Sequence, residues 1–211
     1  MNRPELFLIP LLMLLDYFLT ILGAKSARRV YSNHFKVVSY ELNPLWKNSV
    51  ERLRWFNLRH LVIVCLVTLL AVFVDVLEAA PSRTFDILFG ILLGGFGLVC
   101  CRHLNNLLLF GYLNRHPAEI SGQVTLSMPL QLRISLLQYL SLAPLLLIIG
   151  LFTRSTFVFG VCLGVGALVI AHLVWSRRWS RKMRLAVSRP AKTTDPQLGS
   201  VGEFAREGTE S

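Results

Sequence analysis

Five apolar runs, each near the length of a bilayer crossing, constrain this chain more than anything else in it. A helix needs about 20 mostly apolar residues to span roughly 30 Å of hydrocarbon. The runs lie at about residues 5–24, 58–80, 84–113, 134–152 and 157–175. Only 16% of the chain is charged, against about 25% in an ordinary soluble domain, while 54% is hydrophobic. The expected fold is therefore all-α: a polytopic membrane protein of about five transmembrane helices forming one domain over residues 1–189. Pro10 should kink the first span and Pro144 interrupts the fourth. Arg3 is followed directly by Pro4 and Glu5, and no small-x-small pattern closes the first run, so that run reads as a retained span rather than a cleaved signal.

The charges set an orientation. Net charge is +10, and the positive residues sit in loops beside the apolar runs. That favours anionic lipid over nucleic acid as the partner, and no nucleic-acid binding is expected. Lys25, Arg28, Arg29, Lys36, Lys47, Arg52, Arg54 and Arg59 fall in or beside the first loop, Arg115 and Arg133 beside the third, and six more from Arg177 to Arg189 in the tail. The opposite side holds Arg3, Arg83 and Arg154. The positive-inside rule then predicts a multi-pass protein of the cell (inner) membrane, N-terminus outside and C-terminus cytoplasmic. Residues 44–56 alternate apolar and charged side chains, with Trp46 and Trp55 as anchors, and read as an interfacial amphipathic helix. From Pro190 the composition turns polar, and residues 190–211 read as a disordered cytoplasmic tail.

Ionisable side chains inside spans mark functional sites by default. Asp16 lies mid-span, with Thr20, Gly23 and Ala27 on the same helix face. Glu41 and Asn43 follow at the cytoplasmic rim, where Asn43 can also cap the interfacial helix. The third span carries Gly90, Gly94, Gly97, Cys101 and Asn105 as a stripe of small residues suited to close helix approach, expected to face the first helix. Arg102, His103 and Asn106 stand beside it, and Arg102 is the expected ion-pair partner of Asp16. Arg59 and His60 open the second span at similar depth. The candidate polar cluster is thus Asp16, Thr20, Glu41, Asn43, Arg59, His60, Arg102, His103, Asn105 and Asn106. The four cysteines lie in apolar runs without paired spacing and read as buried free thiols. His116 has no second histidine at zinc-site spacing, and no phosphate-binding glycine loop occurs. No metal or cofactor is expected.

The pattern Asp16-x-x-x-Thr20, then Glu41-x-Asn43-Pro44-Leu45, then a short amphipathic stretch and a basic residue at Arg59, resembles a family of small prokaryotic integral membrane proteins catalogued as a domain of unknown function. The similarity covers roughly residues 6–110. It supports the choice of residues and implies no reaction. Where the family pattern places lysine this chain has Arg59, which argues against a lysine-specific covalent role.

Two functions stand level at this point. One is helix packing or assembly, with a second copy or another membrane protein as partner. The other is binding of a small solute or cation. The alternative is a membrane-embedded enzyme acting on a lipid or isoprenoid-phosphate headgroup, with Asp16 or Glu41 as acid/base and arginines on the phosphate. The sequence leaves open whether the protein is an enzyme.

Overall fold

The structure is a computed structural model and describes residues 3–37, 40–43, 45–77 and 83–188, without the side chains of 37 and 182–188. A 3-10 turn, Pro4–Phe7, leads into α1 (Leu8–Ala27). A single turn α2 (Tyr31–His34), a strand β1 (Phe35–Val37) and a short α3 (Lys47–Glu51) fill the first loop. Helices α4 (Leu58–Leu77) and α5 (Arg83–Arg115) follow. After a 3-10 turn and a strand β2 (Val124–Leu126) come α6 (Met128–Thr153) and α7 (Thr156–Ser188). Five helices are long and apolar enough to cross a membrane, as the five runs require.

The helices outlast the apolar runs that announced them. α6 starts six residues early, at Met128, with Pro129 in its first turn, where proline has no hydrogen bond to lose. α7 continues well past Trp175. Backbone ladders need no hydrocarbon, so a helix runs on until a breaker or cap stops it. Pro10 does not interrupt α1: it lies in the first turn, and the change from 3-10 to α falls before it, at Phe7. Glu78 and the tail 190–211 lie outside the described residues.

α5 is the hub, packed on α1 along one side and on α7 along another, while α6 packs on α7 and α4 lies lightly on α1 and α5. The small-residue stripe of α5 faces α7, not α1. A Cβ on Gly90 would stand 2.9 Å from the Val161 nitrogen, and one on Gly94 2.9 Å from the Val161 Cα. Gly160 and Gly164 reciprocate, lying against the backbone of Ile87 and Ile91. Gly97 has nothing within 4 Å of its missing Cβ among the described residues, and Cys101 and Asn105 are exposed. α1 instead meets α5 through Cys100, whose thiol reaches the Leu12 carbonyl at 3.4 Å, and through Asn114. Asn114 donates to the Ser26 carbonyl (3.1 Å) and hydroxyl (3.0 Å), and accepts from the Val30 N–H (3.1 Å). At the other end Arg3 pairs with Asp75 at 2.9 Å and lies over the Phe85 ring.

The first loop is less an interfacial helix than a folded cover. Helix occupies only Lys47–Glu51 of the expected 44–56, and Pro44 lies outside the described residues. Trp46 turns inward, edge-on to the His60 ring at 5.3 Å, in a cluster with Tyr17, Ile21, Ala24 and Val50. Trp55 and Phe56 are the exposed aromatics. A hydrophobic pattern with two tryptophans does not say which one faces lipid; here the neighbouring α1 and α4 take Trp46. The strands were not expected. β1 and β2 pair in parallel, Phe35 with Val124 through Val37 with Leu126. The pairing brings loops one and three to the same end of the bundle, as five alternating spans require.

Candidate functional site

The polar residues of the sequence divide into two neighbouring places. The first is an intramembrane contact: His103 Nε2 lies 3.4 Å from Asp16 Oδ1, across the α1–α5 interface. His103, not Arg102, is the partner of Asp16. Residues 102 and 103 differ by about 100° around the helix, so one of them faces α1 and the other does not. Arg102 donates from Nη1 to the Tyr139 hydroxyl of α6 at 2.9 Å, and its guanidinium lies 5.7 Å from that ring. Tyr139 in turn meets the His172 ring of α7 at 4.9 Å. His172 is buried, and its Nδ1–H donates to the Leu168 carbonyl at 2.9 Å.

The second place is a cavity of about 310 Å³ at the loop end, walled by the last turns of α1, the first loop, α5 and the start of α6. Arg28 and Arg102 supply its positive charge. Asn106, Gln131, Ser135 and Gln138 supply neutral polar groups, and Leu109, Phe110 and Ile134 part of its apolar wall. Ser135 is completely buried and its hydroxyl has no hydrogen-bond partner among the described residues. Tyr40 lines the same cavity, its ring against Gly23, where a Cβ would stand 3.1 Å from the ring Cζ. Its buried hydroxyl has Asn106 beside it but makes no hydrogen bond of ordinary geometry. Burial raises the Tyr40 pKa and the Glu41 charge adds to that, so the phenol stays protonated.

Glu41 flanks the cavity between Tyr40 and Leu42. The residue is part-exposed, yet its carboxyl sits deep enough for burial to push its pKa up to about 7, against the opposing pull of the Asn43 N–H and Arg102. Its Oε1 accepts the Asn43 N–H at 2.6 Å. Asn43 closes the turn ahead of α3, whose N-cap is Trp46: its side-chain oxygen accepts from the Leu45 N–H at 3.0 Å, and its carbonyl from Trp46 and Lys47. Other predicted members serve the scaffold. Thr20 bonds back to the Asp16 carbonyl at 2.8 Å. His60 is buried, donates from Nε2 to the Met13 carbonyl at 3.1 Å and stacks on Tyr17. Arg59 and Asn105 are exposed and outside the cavity wall.

Sequence reasoning missed Tyr139, Ser135, Gln131 and Gln138, all on α6. Their signal was there: Gln131, Ser135 and Gln138 fall at helical spacing on one face. Only Gln131 precedes the apolar run that begins at residue 134; the other three lie inside it among leucines. Comparison of the chain with known protein families, curated proteins and solved structures gives no match.

Proposed function

We propose that this chain is a multi-pass protein of the cell membrane that binds a small polar or amphipathic ligand in the loop-end crevice. Ser135 carries the reading. Buried polar atoms are almost always hydrogen-bonded, and this hydroxyl, fully buried and without a partner, belongs to the wall of a cavity that two arginines and three side-chain amides also line. The cavity is at the lower end of the size range of small-molecule sites. Helix packing between chains draws less support, because the α5 glycines at 90 and 94 are already taken up by α7. Arginines in the wall favour an anionic or acceptor group over a cation. For an enzyme, the two proposed acid/base residues Asp16 and Glu41 do not line the crevice.

The test uses three short probes in detergent: octyl phosphate, octanol and octyltrimethylammonium. A ligand that binds only the folded chain raises its melting temperature. At least one probe should do so, and Gln138→Trp, an exposed rim position that fills the crevice, should abolish the shift. No stabilisation by any probe, or a shift untouched by Gln138→Trp, overturns the reading.

The proposed orientation puts the crevice on the cytoplasmic side, because the loops beside it carry most of the lysine and arginine. A reporter fused after Ser211 should be active only in the cytoplasm, and one inserted at residues 81–83 only outside. The reverse pattern overturns it.

A further inference from the structure

We propose that the crevice holds the phosphate of a membrane phospholipid, taken in sideways between α5 and α6, with Arg28 and Arg102 gripping the phosphate oxygens. The proposal rests on the ligand-binding reading above and names its ligand class.

Three observations converge on it. The first is charge. Arg102 donates to a neutral acceptor, the Tyr139 hydroxyl, with the Glu41 carboxyl near enough to feel its charge, and Arg28 donates to the main-chain oxygen of Glu51 at 2.5 Å. A guanidinium has five N–H donors, so each keeps donors for a ligand. Glu51, the acidic residue in the wall, shares its charge with Lys47 at 3.7 Å. Arginine's planar fork suits phosphate oxygens in pairs.

The second observation is the doorway. α5 and α6 barely touch, since each packs on α7 instead. Leu109 of α5 and Ile134 of α6 both line the cavity and remain 47% and 41% exposed. A ligand entering sideways would pass between these two apolar residues, at the loop end of the bundle. The volume fits a headgroup, and the acyl chains would stay in the bilayer against Leu109 and Ile134. A free anion needs no such passage.

The third is the set of neutral partners. Gln131, Gln138 and Asn106 have donors and acceptors suited to the remaining phosphate and glycerol oxygens, and the buried Ser135 hydroxyl adds one more. Trp175 and Trp179 pack with Leu42, a wall residue, and so lie beside the site as built-in fluorescence donors.

The experiment places the full chain in alkyl maltoside micelles, which carry no phosphate, and titrates phosphatidic acid carrying an energy acceptor on its acyl chain, read by tryptophan transfer. Unlabelled phosphatidic acid should compete at least tenfold better than diacylglycerol, which lacks the phosphate, and better than inorganic phosphate, which lacks the chains. Arg102→Gln should weaken binding at least tenfold, and Arg102→Lys less. Arg28→Gln, at an exposed position that leaves the core untouched, should weaken it at least threefold, so the outcome does not depend on Arg102→Gln folding. Equal competition by diacylglycerol overturns the phosphate while leaving a ligand-binding crevice. Equal competition by inorganic phosphate overturns the lipid. No saturable transfer with phosphatidic acid, together with no response to the octyl probes, overturns the crevice reading itself.

Discussion

Gly160→Val should lower the melting temperature of the chain steeply, at a cost of about 3 kcal/mol or more. The reason is what a side chain there would strike. A Cβ at Gly160 would stand 2.9 Å from the Ile87 Cα and collide with the Ile87 carbonyl. A flexible side chain could turn aside, but helix backbone cannot. The only relief is to move α7 off α5, the most extensive interface in the bundle, and with it the Tyr139–Arg102 contact that borders the crevice. Gly166, on the same helix with nothing near its missing Cβ, is the control. Gly166→Val should change stability by less than about 0.5 kcal/mol. Equal melting temperatures for the two variants would show that α5 and α7 do not approach as described.

The second large effect belongs to Asp16 and His103. They face each other at 3.4 Å with little access to water, their side chains 20% and 14% exposed. Whether the pair is ionic or shares a proton, removing one member leaves the other a polar group facing apolar neighbours. His103→Leu and Asp16→Leu should each cost about 3 kcal/mol. The double variant should cost less than the sum, since no polar group is then stranded. A double-mutant cycle by thermal or denaturant unfolding measures the coupling, expected at about 1–3 kcal/mol. Asp16 and Arg102 should couple far less, because Arg102 is committed to Tyr139. Coupling of Asp16 to Arg102 as strong as to His103 would overturn this pairing.

What the sequence disclosed and what it hid have separate physical causes. Span number follows from the energetics of apolar length in a bilayer, which act on each run by itself, so all five were legible. Partner choice is different. The glycines at 90 and 94 announce that some helix comes close, but α1 and α7 are equally apolar and nothing local chooses between them. Arg102 and His103 were both plausible companions for Asp16, and one residue of helix phase decides between them. Asn43 was legible as a turn former, though not as the cap of α3, because its bonds are made within four residues. Tyr139 and Ser135 lie inside the apolar run of α6 and meet the cluster only through long-range packing. The strands were hidden for the same reason, being three residues each and paired across nearly ninety residues of chain.

That pairing also sets an order of events during synthesis. Parallel strands cannot be joined by a hairpin, so β1 must wait for β2, made 89 positions later in register. Three spans will have left the ribosome before Phe35–Val37 find Val124–Leu126, and the crevice still lacks the wall that Gln131, Ser135 and Gln138 contribute. During that interval α1, α4 and α5 form an incomplete bundle whose first loop is unlatched. The crevice is therefore a late product of assembly: a chain truncated before α6 could insert and remain in the membrane, yet would have no chamber to fill.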